Sequence, residues 1–438
     1  MGKLIVKGKN RLSGEVSIQG AKNAVLPILS ACVLVPGEVI LHNVPKITDT
    51  QVTIDILRHL GVSVKEEKNT LIINATNISQ NYVPQDLVKE MRSSIIFMGA
   101  LLGRTSNVKI GYPGGCKLGE RPIDMHLKGL SSLGVTITTN EQYITCYAKK
   151  LIANNISLSF PSVGATQNII LAAIYANGIT TIKGAAKEPE IIDMIQMLNK
   201  CGAKISVSDD IIIEGVTKLS GTEHTIMGDR IVAGTYIAAA AISGGTVALH
   251  GIEEKHMLPT IEAFKRCNLI IVSIKNTLVA RANHIKAINI TTGPHPKFAT
   301  DMQPQLMAAM CVANGTSIIK ESIFEARDMH VQELNSMGAN INVINTQDGK
   351  IKTKFIVQGD RKLIGTEVYA KDLRGGAALV LAGLCAEGTT VINGAKYINR
   401  GYENISNDLQ SLGANIAFKG SKEHWPALYN PKSLVALP

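Results

Sequence analysis

One stretch of the sequence, residues 112–122, combines a single thiol with two cations, three glycines and two prolines. Glycine and proline disfavour helix and strand at these positions, so the stretch is predicted to form a loop. Lys117 and Arg121 would favour the thiolate form of Cys116, because nearby positive charge stabilises it. Such a loop could serve as a lid that also carries a reactive group. The alternative is that Cys116 only fills space in a turn.

Polar side chains also precede a series of apolar helices. The N-terminus of a buried helix has free N–H groups and the positive end of the helix dipole, so several such ends facing one cleft would bind an anion. Lys22, Arg92 and Arg374 would add formal charge. The alternative is that the aspartates only cap helices and that the cations are solvated. The set comprises Lys22, Asn23, Arg92, Thr166, Gln167, Asp229, Arg230, Asp301, Gln303, Asp372 and Arg374.

Asp301 differs from the other aspartates because it lies in a long segment before its helix, residues 294–304, that is bounded by prolines. Both a structural and a functional role remain open for it. Arg121, Arg327 and Arg400 lie in predicted loops, and arginine forks suit phosphate and carboxylate, so together they predict a small, doubly anionic substrate. The phosphate-binding and dinucleotide-binding glycine motifs are not found, which argues against nucleotide hydrolysis and dinucleotide redox chemistry.

An internal repeat that occurs six times must position these residues. Each copy has an apolar helix of small residues, a glycine with a β-branched strand, an amphipathic second helix and a strand hairpin. Five second helices end at a glycine (Gly61, Gly134, Gly202, Gly338 and Gly413), and the fourth ends at Cys267-Asn268, which is a weaker cap. The first helices are apolar on every side and should be buried. Six units predict two domains of three, in which a strand at residues 3–7 completes the last unit.

Composition narrows the function classes. The chain has 438 residues, a net charge of +10 and seven cysteines. The charge suggests an anionic partner, but the cations are spread out and not interleaved with aromatics, so nucleic acid is not predicted. An odd number of cysteines without a Cys-x-x-Cys pair predicts neither disulfides nor a metal site. With no signal peptide and no bilayer-length apolar run, we expect a cytoplasmic protein with no membrane partner.

Seven motifs in order carry a family resemblance: residues 20–27, 114–116 with 121–126, 162–166, 300–303, 324–327, 372–374 and 400–403. From Leu4 to about residue 418, the sequence closely resembles the enolpyruvyl transferase family, and within it the enzymes that act on UDP-N-acetylglucosamine. The resemblance implies an α/β (α+β) fold of two three-repeat domains with the active site in the interdomain cleft. The expected domains are residues 21–229, and residues 1–20 with 230–420; residues 421–438 form a tail outside the resemblance.

The same resemblance implies an activity. The enzyme would transfer the enolpyruvyl group of phosphoenolpyruvate to the 3-hydroxyl of UDP-N-acetylglucosamine and release phosphate. This is the first committed step of peptidoglycan precursor synthesis, and so serves cell-wall formation, cell shape and cell division. Its partners would be these two small molecules, with no metal and no organic cofactor. The resemblance also implies that the protein is a target of fosfomycin.

Residue roles follow from the matched motifs. Cys116 would be the general acid toward the enolpyruvyl methylene and the fosfomycin target, and Asp301 the general base. The catalytic group would also include Lys22, Asn23 and Arg400. Phosphoenolpyruvate would be bound through its phosphate by Lys22, Arg121 and Arg400 and through its carboxylate by Arg327 and Arg374, with Asn23 near the sugar or the tetrahedral intermediate. The UDP-sugar site would comprise Arg92, Arg121, Pro122, Ile123, Asp124, Met125, Ser162, Val163, Gly164, Asp301 and Ile323.

The sequence departs from the family pattern at a few positions. Asn399 and Tyr397 stand where aspartate and histidine are common, and Val232 replaces a frequent acidic residue. These departures keep one alternative open, a non-catalytic paralogue that binds nucleotide-sugar. A second alternative is the shikimate-pathway enolpyruvyl transferase, a sister enzyme that shares the fold, although that family lacks the cysteine loop. The oligomeric state is open as well, and a monomer is compatible with the sequence.

Overall fold

The computed structural model describes residues 2–114, 122–346 and 349–420. These residues form two compact units. One unit is built from the described residues between 22 and 227, and the other from those before 22 and after 227. Along the described residues the chain therefore starts in the second unit, forms the first, and then returns to the second.

Six core helices, three in each unit, correspond to the apolar helices of the repeat. Most residues in them are buried, including all eight of Gln303–Met310. Small residues permit close packing of these helices against one another within each unit. The prediction that they are buried is confirmed. The core helices are Lys22–Ala31, Phe97–Thr105, Val163–Ala173, Arg230–Ser243, Gln303–Met310 and Leu373–Cys385.

Six second helices are amphipathic and end where the sequence predicts. The glycine that follows five of them has a positive φ, between 83° and 102°. In the fourth copy Asn268 takes the same left-handed conformation with φ 75°, because asparagine tolerates this region better than most residues. The second helices are Thr48–His59, Asp124–Ser132, Pro189–Lys200, Leu258–Arg266, Val331–Ser336 and Ile405–Ser411.

Each unit has three four-stranded sheets, and one pattern of pairing recurs in all six. An edge strand runs parallel to its neighbour, and the two remaining pairs are antiparallel. In the unit of residues 22–227 the sheets are, in spatial order, Thr222–Thr225, Glu38–His42, Thr70–Asn74, Ser63–Glu67; Tyr82–Val83, Asn107–Gly111, Tyr143–Tyr147, Thr136–Thr139; and Asn155–Ser157, Ile179–Lys183, Ile211–Glu214, Lys204–Val207.

The other unit uses the beginning of the chain to complete two of its sheets. Lys3–Lys7 lies between two late strands, with Lys3 opposite both Asn393 and Lys419. The prediction that this strand completes the last unit is confirmed. The sheets are Ser13–Ser17, Thr246–His250, Thr277–Arg281, Ile270–Ile274; Ile290–Thr291, Thr316–Glu321, Thr353–Gln358, Asn340–Asn345; and Glu367–Tyr369, Thr389–Asn393, Lys3–Lys7, Asn415–Lys419.

Short helical segments connect these elements. They are the helices Gln85–Glu90 and Ala395–Ile398 and the 3-10 helices Cys32–Leu34, Arg92–Ile96, Glu254–His256 and Thr300–Met302. Two of the 3-10 helices directly precede core helices and carry residues of interest, Arg92 and Asp301. None of the helices in the described ranges is long and apolar enough to span a bilayer.

Candidate active site

Asp301 lies between two arginines of the same unit. Its Oδ1 accepts hydrogen bonds from Nη1 and Nη2 of Arg327, both at 3.0 Å, and its Oδ2 accepts one from Nη2 of Arg374 at 3.1 Å. The arginine side chains are only 6% and 3% exposed, whereas that of Asp301 is 24% exposed. One carboxylate therefore bridges two nearly buried guanidinium groups and is the most accessible member of the cluster.

The charges of this cluster decide the state of the carboxylate. Burial alone would raise the pKa of Asp301, but the charges and hydrogen bonds of Arg374 and Arg327 outweigh it and hold that pKa well below its ordinary value. Taken alone, the two arginines and Asp301 carry one positive charge in excess, while Asp229 also faces Arg374. In addition, Nε of Arg327 and Nη1 of Arg374 are buried and have no hydrogen-bond partner among the residues that the structure describes. The cluster can therefore accept further negative charge.

Glu321 ties the segments of this cluster together. It is fully buried at the end of the strand Thr316–Glu321. Its Oε1 accepts the backbone N–H groups of Ile323 at 2.8 Å and Phe324 at 3.2 Å. Its Oε2 accepts the hydroxyl of Thr300 at 3.0 Å, and that hydroxyl oxygen accepts Nη1 of Arg327 at 3.1 Å. Glu321 thus links the loop that carries Arg327 to the turn that carries Asp301. The sequence analysis missed it.

The other two aspartates of the candidate set are helix caps. Asp229 accepts the N–H groups of Ile231 and Val232, and Asp372 accepts those of Arg374 and Gly375. The capping alternative is therefore correct for both. Val232, a departure from the family pattern, is fully buried in the first turn of its core helix.

Arg400 lies in the turn after Ala395–Ile398 and is half-buried. Tyr397 and Asn399, which depart from the family pattern, precede it. Two residues on, the ring of Tyr402 is fully buried, and its centroid lies 5.9 Å from the guanidinium of Arg374. The Tyr402 hydroxyl is 2.8 Å from Oγ1 of Thr235, so the Arg400 turn is anchored to the core helices.

In the other unit, Lys22 and Asn23 open the core helix Lys22–Ala31. Nζ of Lys22 is 2.8 Å from Oδ2 of Asp49, and the two side chains are 12% and 3% exposed. Asp49 lies in the first turn of the helix Thr48–His59 and was not singled out from the sequence. The pair fixes the lysine ammonium at the N-terminus of a buried helix, where a cation would add to the anion-attracting dipole.

Eight of the residues expected to bind the UDP-sugar lie on three neighbouring segments of this same unit, whereas Asp301 and Ile323 lie in the other unit. Arg92 opens the 3-10 helix Arg92–Ile96. Pro122 and Ile123 precede Asp124–Ser132, which begins with Asp124 and Met125. Ser162 caps the core helix Val163–Ala173 through the N–H of Ala165, and Val163 and Gly164 form its first turn. All of these side chains are half-buried or exposed.

Asn168 holds those three segments together. It is fully buried, its Nδ2 donates to the carbonyl of Ile95 at 3.0 Å, and its Oδ1 accepts the N–H of Gly99 at 2.7 Å. Nδ2 also lies 2.8 Å from Nδ1 of His126. A side chain at Gly99 would collide with the Asn168 backbone, since its Cβ would lie 2.2 Å from the carbonyl oxygen. Asn168 is a second residue that the sequence analysis missed.

Cys116 and Arg121, with Lys117, lie outside the described residues. The six cysteines inside them are free thiols, five buried and Cys385 partly so. Burial raises the pKa of Cys146, Cys267 and Cys385 to about 12 and that of Cys201 to about 11. These thiols are therefore poor nucleophiles. Within the described ranges, histidine, cysteine and acidic residues form no group that could hold a metal ion.

Known proteins resemble this chain over nearly its whole length. A family model described as EPSP synthase (3-phosphoshikimate 1-carboxyvinyltransferase) matches residues 6–409. UDP-N-acetylglucosamine 1-carboxyvinyltransferase 2 of Caldanaerobacter subterraneus is 45% identical over 95% of this chain and 99% of its own. UDP-N-acetylglucosamine 1-carboxyvinyltransferase 1 of Clostridium acetobutylicum is 43% identical, with the same shares covered.

Solved structures agree on the fold. The enolpyruvyl transferase NikO from Streptomyces tendae superposes with a TM-score of 0.86 at 24% identity, over 95% of this chain and 99% of its own. An EPSP synthase from Acinetobacter baumannii superposes with a TM-score of 0.76 at 20% identity, over 96% of this chain and all of its own.

Proposed function

The chain belongs to the enolpyruvyl transferase family, and from this membership we propose that it transfers the enolpyruvyl group of phosphoenolpyruvate to the 3-hydroxyl of UDP-N-acetylglucosamine. The observation that carries the proposal is the identity of 41–46%, over about 95% of the chain, to relatives named UDP-N-acetylglucosamine 1-carboxyvinyltransferase. The EPSP synthases match at 19–20% identity and support the fold alone.

The reaction needs a base, an acid and bound cations. The hydroxyl of the sugar loses its proton and its oxygen bonds to the enol carbon that carries the phosphate, while the methylene carbon gains a proton. Phosphate then leaves, and loss of a proton from the new methyl group restores the double bond. Fixed cations around the phosphate and carboxylate stabilise the charge that develops.

We assign the described cations of this scheme by their charge and burial. Arg327 and Arg374 bind the substrate carboxylate, which is supported by their burial, their residual positive charge and their unpartnered donors. Lys22 and Arg400 bind the phosphate. Asn23 contacts the sugar or the tetrahedral intermediate. Arg92, Pro122–Met125, Ser162–Gly164 and Ile323 contact the UDP-sugar.

Cys116 is the proposed acid and Asp301 the proposed base, with Arg121 a further phosphate ligand. The six free thiols of the described residues support a reducing compartment, so we place the enzyme in the cytoplasm. We further propose that it acts as a monomer, which light scattering on the purified protein would test.

The test of the proposed function is phosphate release from phosphoenolpyruvate that depends on UDP-N-acetylglucosamine. We expect fosfomycin to abolish it in the wild type and not to modify Cys116→Ser covalently. Cys385→Ser is the matched control, since Cys385 is the most exposed of the described thiols and should keep both activity and inhibition. A folded protein that binds the nucleotide-sugar but releases no phosphate would refute the transferase and favour the non-catalytic paralogue.

The shikimate-pathway reaction is tested in the same assay. Shikimate 3-phosphate replaces UDP-N-acetylglucosamine as the acceptor, and we expect no phosphate release. Release with shikimate 3-phosphate alone would overturn the proposed acceptor while keeping the enolpyruvyl transfer.

A further inference from the structure

The bridging position of Asp301 is the position that a ligand carboxylate would take. Arginine binds carboxylates through paired N–H groups, and here both Nη atoms of Arg327 reach one oxygen while Arg374 reaches the other. The carboxylate is the most exposed of the three groups, so it can leave without displacing the buried arginines. The proposed base and the proposed carboxylate site are thus engaged with each other.

Several other charged and titratable groups surround the cluster. Glu321 reaches Arg327 only through the hydroxyl of Thr300. His330 faces both Asp372 and Arg327, and Asp229 and Tyr402 face Arg374, as their effects on the pKa values of His330 and Arg374 indicate. Asp229 and Asp372 are occupied as helix caps. Among the described residues, only Asp301 both contacts the two guanidinium groups directly and has an exposed fraction from which it could move.

We propose that Asp301 is an internal stand-in for the substrate carboxylate: it occupies the site formed by Arg327 and Arg374 in the ligand-free protein, and phosphoenolpyruvate displaces it. The inference rests on the proposed function for the identity of the ligand. It goes beyond that function because it makes the base available only when phosphoenolpyruvate is bound.

The consequence for proton transfer follows from charge. While both arginines hold Asp301, the pKa of this carboxylate is well below its ordinary value, and a group with so little affinity for a proton is a poor base. When the substrate carboxylate binds the two arginines, Asp301 loses its contacts with these cations and gains a neighbouring anion. The pKa of Asp301 therefore rises. Asp301 can then accept the proton of the sugar hydroxyl as the oxygen–carbon bond forms. Without phosphoenolpyruvate the hydroxyl is left protonated.

Binding measurements on Asp301→Asn test the displacement. Phosphoenolpyruvate is compared with its two halves, pyruvate as the carboxylate probe and inorganic phosphate as the phosphate probe, by calorimetry without the sugar nucleotide. If Asp301 occupies the arginine site in nine molecules of ten or more, the Asp301→Asn variant should bind pyruvate and phosphoenolpyruvate about 10-fold or more tightly than the wild type does. The affinity for inorganic phosphate should change by less than about 3-fold, because phosphate does not compete with Asp301 for the two arginines.

Asp372→Asn is the matched control. It removes the same charge in the same unit, and asparagine still caps the helix, but this side chain does not contact the two guanidinium groups. We expect less than about a 3-fold change for all three probes. If Asp301→Asn gained as much affinity for phosphate as for pyruvate, the effect would be general electrostatics and the proposal would be overturned. The same holds if Asp372→Asn gained as much affinity for pyruvate as Asp301→Asn does. Unchanged pyruvate binding in Asp301→Asn would overturn the proposal as well.

A measurement on the wild type keeps the proposal testable if Asp301→Asn does not fold. The side-chain carboxyl carbon of Asp301 is followed by NMR in 13C-labelled protein, and we expect saturating pyruvate, but not phosphate, to shift its resonance and raise its pKa. An unmoved resonance with pyruvate bound would refute the displacement. These binding tests need no turnover. If the binding tests fail but phosphate is released, only the displacement of Asp301 is refuted. If the binding tests succeed but no phosphate is released, only the proposed transferase activity is refuted.

Discussion

Replacing Glu321 should weaken the candidate active site and the unit around it. The buried carboxylate accepts three hydrogen bonds, from the N–H groups of Ile323 and Phe324 and from the Thr300 hydroxyl. In Glu321→Gln the amide oxygen can still accept the two N–H groups, but the amide nitrogen cannot accept the hydroxyl. One hydrogen bond to a charged group is lost, which corresponds to about 1.5–3 kcal/mol of the free energy of unfolding.

Glu321→Ala removes both acceptor oxygens and with them all three hydrogen bonds. It leaves two backbone N–H groups and one hydroxyl without their partner, so the expected loss is about 3–6 kcal/mol, a large part of the stability of a typical domain. The loop that carries Arg327 and the turn that carries Asp301 are also uncoupled, so we expect the KM for phosphoenolpyruvate to rise in Glu321→Gln, which should remain folded.

Urea denaturation followed by circular dichroism measures the change in stability, and steady-state phosphate release measures the change in KM. Glu325→Gln is the matched control, because Glu325 is 60% exposed and its ion pair with Lys352 is at 3.4 Å. An exposed pair of this kind contributes about 1 kcal/mol or less. If Glu321→Gln were as stable as Glu325→Gln, the carboxylate would not hold the two segments and the reasoning would be wrong.

Three further predictions concern other described residues. Burial lowers the pKa of His330 to about 4, below the ordinary value of about 6.5, so the unfolded chain binds the proton first and stability falls as the pH drops between these values. Over this pH range the free energy of unfolding of His330→Gln should fall by about 3 kcal/mol less than that of the wild type. Denaturation at a series of pH values measures this difference, and an equal pH dependence in the two proteins would contradict the prediction. Asp49→Ala strips Lys22 of an ion-pair partner in a site that is nearly buried, so a loss of about 2–4 kcal/mol is expected in urea denaturation, and a loss under about 1 kcal/mol would mean that water replaces the partner. Asn268→Ala should lower stability by about 1 kcal/mol while Asn268→Gly changes it by less than about 0.5, as measured by thermal unfolding, because φ is 75° there; equal effects would refute the backbone argument.

Local signals were sufficient to predict the architecture. A glycine after a helix, a β-branched strand after a small-residue helix and an alternating hairpin are all properties of short windows, and their sixfold recurrence made each one more certain. The second core helix is less regular than this pattern implied. It begins as the 3-10 helix Arg92–Ile96 and becomes α-helical only at Phe97.

The partners inside the candidate site could not be predicted in the same way. Asp301 pairs with residues 26 and 73 positions further along the chain. Lys22 similarly needs Asp49, and three separate segments need Asn168. A carboxylate in a polar stretch looks alike whether it caps a helix or bridges two arginines. Only the fold decides, which is why Asp372 and Asp301 proved different although both precede a core helix.

The strand Lys3–Lys7 also constrains how the protein is made. It is translated nearly 400 residues before the two strands that flank it, Thr389–Asn393 and Asn415–Lys419. In the interval the described strands between residues 38 and 225 find all their partners among themselves, so that unit can assemble during translation. The early strand must meanwhile stay unpaired with both edges open, which is a known route to aggregation. Lysines at its two ends are the kind of residue that discourages such association during the wait.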